Sequence, residues 1–441
     1  MPRTADDTSV SAHRPELLKA MSEFVAPAVF GALETGGWAW SAWMLALGAV
    51  LMAWDSTPCL IARFDSVRAT LRELYPKKPL GDSYQGFIKA LLKYSSAILG
   101  ILTAHLRQRL QDMAAAHWLC QGWCAFAVDG SRVECPRTRS NQDALRCAGK
   151  EKTGPQLFLT TILHMGTGLP WAFKIGPGTD SERNHLRDLL GLLPPRALLV
   201  ADAGFVGYDL LASILQGGHQ FLIRVGNNVT LLRELGFAKV QADNTVYLWP
   251  DKHRKKDFPP LVLRLVELHD GRRPVFLVTS VLENTTLSDP QAGALYRMRW
   301  GVEVFYRSLK QTLARRKMHS EAPRQSQCEL SWAVMGLWGL SLMSVRQILA
   351  AGGDPLALSV AGALRRVRLA IRYGPTSPKA RILLGTLHHA VKDSYVRRAS
   401  KKARDWPHKK KDKPPGLPRI LIASLEQLSQ VKALYVKIQA A

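Results

Sequence analysis

Three acidic residues, Asp129, Asp202 and Glu303, stand in settings that suit metal-dependent phosphate chemistry. Asp129 closes a short apolar run, Cys124 to Asp129, and precedes Gly130-Ser131. Alternation along a strand puts it on one face with Ala125 and Ala127, small residues that leave room above a sheet. Asp202 ends a second apolar run, Ala197 to Asp202, and precedes Ala203-Gly204-Phe205. Ligands in sheet-and-helix folds gather at the carboxyl ends of strands, so both acids are functional candidates. A turn or helix-cap role is the alternative for each. Hard divalent cations such as Mg²⁺ take carboxylate oxygens, and two of them ~3.5–4 Å apart clamp the attacking and leaving oxygens of a phosphodiester. One acid cannot hold such a pair, whereas three acids with phosphate oxygens can.

The third acid lies on a helix expected from about Pro290 to Leu313. At about 100° per residue, Tyr296, Arg299, Glu303, Arg307 and Lys310 share a strip about 80° wide. Leu295, Met298, Val302, Phe305, Leu309 and Leu313 form the apolar stripe beside it. Alone, the strip reads as an exposed ladder of ion pairs, each contributing ~0.2–0.5 kcal/mol. Beside two strand-end acids it reads as a carboxylate among phosphate grips, because Arg forks match phosphate oxygens and Lys supplies a point charge. Trp300 borders the strip, placed either to stack on a base or simply to pack.

Tyr296, Arg299, Glu303 and Lys310 reproduce the Tyr-x2-Arg-x3-Glu-x6-Lys signature of DDE transposases from insertion-sequence family four. Asp129-Gly130-Ser131 and Asp202-Ala203-Gly204-Phe205 resemble that family's first and second Asp motifs, in the same order. The resemblance covers roughly residues 120 to 345. It implies a ribonuclease-H-like core that cuts transposon ends and joins them to target DNA. Asp129, Asp202 and Glu303 would hold two Mg²⁺ ions, with Mn²⁺ as a substitute, Asp129 bridging the pair. Water would attack the scissile phosphate in line, and the freed 3′-hydroxyl would then attack a target strand. Tyr296, Arg299, Trp300, Arg307 and Lys310 would contact DNA. Partners would be double-stranded terminal inverted repeats and target DNA, held by a homodimer, in the cytoplasm at the nucleoid. A DNA-binding derivative that has lost catalysis is the alternative, and retention of all three acids argues against it.

The elements around these residues read as a mixed α/β chain. Residues 1–120 are expected to form a helical, DNA-binding region, and 121–225 with 274–350 the catalytic core. A β-rich insertion occupies 226–273, and a helical region with a basic tail fills 351–441. Strands are expected at Cys124 to Asp129, Leu157 to His164, Leu169 to Ile175, Ala197 to Asp202 and Phe221 to Val225, with Val275 to Thr279 returning to the sheet. Length, 47% hydrophobic residues and 22% charged residues exclude a mostly disordered chain. A net charge of +25 points to a polyanion such as nucleic acid. Residues 397–413 carry nine Lys or Arg against Asp405 and Asp412, a further candidate DNA contact, as is the basic face of Arg365, Arg366, Arg368 and Arg372.

Six cysteines, with no knuckle spacing among Cys120, Cys124, Cys135 and Cys147, read as reduced core residues rather than a zinc site. Thr35 to Trp54 is uncharged and long enough to span a bilayer, yet acids flank it and no second span of that length accompanies it. It reads as buried, as does Leu330 to Val345, so no membrane partner is expected. The N-terminal residues do not read as a signal peptide. Glu134, Asp180, Glu182, Asp188 and Asp209 are weaker candidates for the acidic triad, each in a turn or polar helix. His164 and His185 read as satisfied structural histidines.

Overall fold

The computed structural model describes residues 16–22, 24–31, 33, 35, 40–148, 154–237, 244–269, 274–393 and 416–440. The basic stretch 397–413 lies outside the described residues. The fold is mixed α/β, built on one ten-stranded sheet. Its strands are β1 (Ala125–Glu134), β2 (Gln156–His164), β3 (Leu169–Pro177), β4 (Leu198–Ala201) and β5 (Gln220–Val225). Five more follow: β6 (Thr230–Arg233), β7 (Thr245–Leu248), β8 (Leu261–His269), β9 (Pro274–Thr279) and β10 (Arg419–Ile422). The order across the sheet is β10-β6-β7-β8-β9-β5-β4-β1-β2-β3.

Local sequence explains the centre of this sheet. β2 is buried at every position, and β4 is a wholly buried Leu-Leu-Val-Ala run, the pattern of strands covered on both faces. β1, β4 and β5 are parallel, whereas β2 and β3 form an antiparallel meander on the outer side of β1. β9 does return to the main sheet, antiparallel to β5. β6 to β8 continue that same sheet beyond it.

Two readings change. β1 continues five residues beyond Asp129 because it stays paired with β2 as far as Glu134–Gln156. Only its parallel ladder with β4 stops at Val128–Ala201. The C-terminal segment, read as helical, also supplies a strand: β10 pairs in parallel with β6. The helix Leu425–Ala440 behind it joins a small apolar cluster with Leu232, Tyr247 and Trp249.

The helix Pro323–Ala350 forms the spine of the rest. It packs on β3 and on the N-terminal helices Ala42–Trp54 and Tyr84–Met113, and one continuous apolar core runs from Leu17 to Ala390. Ala42–Trp54 approaches closely at Gly336, where an added Cβ would sit 2.6 Å from the Ala53 side chain; Trp54 Nε1 donates to Gly336 O at 2.8 Å. The carbonyl end of Ala42–Trp54 is met by Arg315, which donates to Ala53 O at 3.2 Å, and by Arg368, which donates to Trp54 O at 2.6 Å. Cations there satisfy exposed carbonyls and the negative end of the helix dipole. Burial pulls the Arg315 guanidinium down to about 10. Arg368 is thus engaged in packing rather than on the open basic face expected of it.

Tyr84–Met113 and Pro323–Ala350 are long and apolar enough, by length and composition, to cross a bilayer. The second is mostly buried inside the protein. The expected apolar segment at Thr35 to Trp54 contributes a helix of 13 residues, Ala42–Trp54, too short at about 1.5 Å per residue for a span of about 30 Å.

Candidate active site

The end of the β1–β4 ladder sets the geometry of the site. Val128 pairs with Ala201 and Ala201 with Ile223. These are the last paired residues of the two ladders, and Asp129, Asp202 and Arg224 are the next along their strands. Each carboxylate also accepts from the next backbone N–H: Gly130 N–H donates to Asp129 Oδ1 at 2.8 Å, and Ala203 N–H to Asp202 Oδ1 at 2.7 Å. The cap role is filled by Asp202, at the head of Ala203–Phe205, whereas β1 runs on through Asp129. Burial pushes the Asp129 carboxyl up to about 6, opposed by the Gly130 N–H and by Arg299.

The expected single helix over Pro290 to Leu313 has three parts. Ser288 caps Asp289–Met298 through a capping box with Gln291, and Trp300–Arg307 continues after a tight step at Arg299. There Val302 N–H bonds to Arg299 O, three residues back. Ser308–Thr312 is a π turn. A uniform 100° wheel therefore misplaces residues beyond Arg299, and the wide turn swings Lys310 toward β1, where its Nζ donates to Ser131 Oγ at 2.7 Å. Burial lowers the Lys310 ammonium.

Arg299 is buried and ties the strip together. Its Nη2 meets Glu303 Oε1 at 2.8 Å and its guanidinium lies 5.5 Å from the Tyr296 ring centre. Arg299 Nε is buried without a hydrogen-bond partner, so a donor remains for an anion. Tyr296 OH reaches toward Asp202 Oδ1 at 3.4 Å, a long contact. Arg132, Trp300, Glu303, Arg307, Lys310 and Arg316 line a groove of about 510 Å³, in which cations outnumber acids. Trp300 is 53% exposed there, which favours a surface role over core packing.

Among the described residues, no group of three His, Cys, Asp or Glu is arranged as a ready metal site. Asp129 and Asp202 each follow the last paired residue of the β1–β4 ladder, while the Glu303 carboxylate is held by Arg299. The donor chemistry nevertheless fits hard cations, which take carboxylate oxygens, and at Asp129 burial disfavours the unneutralised charge.

Two residues near the acids, Tyr306 and Arg224, escaped the sequence reading, and a third was set low in it. Tyr306, fully enclosed between helix and sheet, donates to Asp129 O at 2.7 Å and Leu159 O at 3.1 Å. A tyrosine on the margin of the basic strip was the available signal. Arg224 had none, since its role follows from register. Glu182 was weighed only as a weak candidate, yet its carboxylate lies against Gly130 and Gly204. His164 and His185 are satisfied as expected, His164 by Thr167 and Trp118 O, His185 by Thr160 and Asp180. Asp188 pairs with Lys174 and Asp209 with His253, away from the acids.

Residues 122–338 match the family model of the transposase DDE domain, a stretch that contains Asp129, Asp202, Glu303 and the whole Tyr-Arg-Glu-Lys strip. That stretch, just under half of the chain, is similar to the DDE domain of transposases. The chain is also similar to transposase InsG for insertion sequence element IS4 of Escherichia coli K12, which is 27% identical over 237 residues, 51% of this chain and 52% of that one. The chain thus aligns with about half the length of that relative. Among solved structures, the piggyBac transposase synaptic complex with hairpin DNA resembles it loosely, with a TM-score of 0.42 and 12% identity over 90% of this chain and 89% of that one.

Proposed function

We propose that this protein is a transposase that cuts the ends of its own DNA element and joins them to target DNA, using a ribonuclease-H-like core. The observation that carries the reading is the end of the β1–β4 ladder at Val128–Ala201, one residue before each aspartate, with the Tyr296–Lys310 strip docked beside it. Asp129, Asp202 and Glu303 would hold the cations. When bound, two Mg²⁺ ions, or Mn²⁺ in their place, activate the attacking oxygen and neutralise charge on the leaving oxygen.

The remaining steps belong to the chain's own groups. Arg299 grips a phosphate through its free Nε, and that anion competes with Glu303 for the guanidinium, freeing the carboxylate to turn toward the two aspartates. Lys310 and Arg307 hold flanking phosphates, Tyr296 orients against Asp202, and exposed Trp300 stacks on a base near the cut. Tyr306 fixes the Asp129 backbone, so that carboxylate needs no rearrangement during the reaction. Residues 1–120 and 351–441 add DNA contacts, and a homodimer holds two ends together in the cytoplasm.

The Arg299–Glu303 pair also suits a second reading, a DNA-binding derivative in which the glutamate is permanently locked. A cleavage assay separates the two. Labelled duplexes carrying the inverted repeats that flank the coding region are incubated with the protein and Mg²⁺. Transposase activity predicts cutting at the repeat ends. Asp129→Asn, Asp202→Asn and Glu303→Gln should each lower it by about 10³-fold, the rate equivalent of several kcal/mol of charge stabilisation, with DNA binding retained. Binding without cutting by the unaltered protein would favour the derivative.

A further inference from the structure

The basic surface does not end with the Tyr296–Lys310 strip. Beyond Lys310 the chain turns back at Ala314, whose φ of 56° is left-handed, and meets the far end of β1. Glu134 N–H donates to Arg316 O at 3.1 Å, Met318 N–H donates to Glu134 O at 2.8 Å, and Lys317 forms a parallel bridge with Glu134. Arg315 and Met318, on either side, are 2% and 1% exposed. Arg316 is itself exposed, so its side chain projects from a backbone fixed at both flanks. From Asp129 to Glu134, β1 pairs with β2 alone, the β4 ladder having ended at Val128.

Arg132, Glu134, Lys310 and Arg316 line the same groove of about 510 Å³ as Trp300 and Glu303. Its cations are short of partners. Neither Arg307 nor Arg316 makes a side-chain hydrogen bond or ion pair with a described residue, and Arg132 engages only Nε, which donates to Gly178 O at 3.0 Å. Of the two acids in the lining, Glu303 is already held by Arg299. Burial lowers the Lys310 ammonium, and the nearby Arg316 charge pushes it the same way. Cations crowded into one groove repel, and an anion among them relieves that repulsion. A second observation points to a ligand. Gln156 also lines the groove, is 9% exposed, and its buried Oε1 has no hydrogen-bond partner. A buried amide left short is completed by a ligand or by the water a ligand brings. Length fixes the position. β1 advances from Asp129 to Glu134 by about 17 Å, at about 3.3 Å per residue. A DNA strand rises about 3.4 Å per nucleotide, so the span corresponds to roughly five nucleotides.

We propose that Arg316 grips a backbone phosphate of the DNA strand roughly five nucleotides from the cut, with Arg132 and Gln156 beside it in the groove. This rests on the transposase reading above, and the test keeps the two apart. The full chain, without divalent cation, is titrated with a labelled duplex spanning the flanking inverted repeat and its junction. Arg316→Ala should bind several-fold more weakly, and its slope of log affinity against log salt should shrink by about one. Arg316→Lys should restore the slope, and both changes lie on an exposed side chain that the fold does not need. Uncharged methylphosphonate then replaces one phosphate at a time over about eight nucleotides on either side of the junction. At the phosphate that Arg316 holds, unaltered and Arg316→Ala proteins should bind equally, and that position should lie about five nucleotides from the junction. Lys310→Ala should find its matching phosphate nearer the junction. Unchanged affinity and slope in Arg316→Ala would overturn the grip and leave the transposase reading standing. A loss that no single methylphosphonate abolishes, or that only one beside the junction abolishes, would do the same. No binding of the repeat duplex by the unaltered protein would overturn both.

Discussion

Asp129 is pinned from three directions: its carboxylate by the Gly130 N–H, its carbonyl by Tyr306, and its neighbours by the buried β1–β2 pairing. That rigidity predicts what residue changes do. Tyr306→Phe leaves the Asp129 and Leu159 carbonyls short of a donor, at a cost of ~1–3 kcal/mol. Thermal unfolding should register that loss, and a melting temperature equal to the unaltered protein would deny the hydroxyl its bracing role. Lys310→Ala removes a cation that reaches over β1 to Ser131. DNA affinity should fall, and the slope of log affinity against log salt should shrink by about one. An unchanged slope would mean that Lys310 touches no phosphate. At this scale the sequence made candidates legible wherever the reading rests on residue type and spacing, as for Asp129, Asp202 and Glu303. Tyr306, Arg224 and Glu182 depend on contacts between distant segments, and no local pattern carries those.

Among the elements, periodicity revealed the glutamate helix but not its interruptions, because a wheel assumes one pitch throughout. The tight step at Arg299 and the π turn at Ser308–Thr312 are tertiary accommodations that let one rod place Tyr296 near Asp202 and Lys310 over β1. β10 was hidden for a related reason. Four residues have too little pattern to announce a strand, and three of them (Arg419, Leu421 and Ile422) remain exposed. The buried helices were easier, since long apolar runs have few other uses. Their contact at Gly336 yields a prediction: Gly336→Ala drives a methyl into Ala53 and should destabilise by ~1–3 kcal/mol, read as a lower urea midpoint. A midpoint unmoved by that methyl would show that the two helices can separate freely.

For the molecule as a whole, the charge of +25 was the plainest signal in the sequence, and the groove beside Glu303 shows part of it gathered around the site. Stability should carry a second whole-molecule signature. His164 is wholly buried between Trp118 and Phe126, and burial lowers its imidazole from 6.5 to about 4. The unfolded chain therefore binds a proton between these values that the folded chain refuses. This contribution is complete above about pH 6.5 and is lost as pH falls toward 4, by an amount on the order of 3 kcal/mol. His164→Gln should flatten that part of the pH dependence. Comparing the two proteins separates it from carboxylates that titrate in the same range, and identical profiles would contradict it. The central claim concerns convergence, since residues near 129, 202 and 303 must surround one pair of cations. Iron(II) bound in place of Mg²⁺, with ascorbate and peroxide, releases hydroxyl radicals that cut the backbone beside its ligands. Mapping the fragments should give cuts clustered near those three positions, all suppressed by excess Mg²⁺ and absent in Asp129→Asn; cuts confined to one of the three regions, or unaffected by that substitution, would contradict the account.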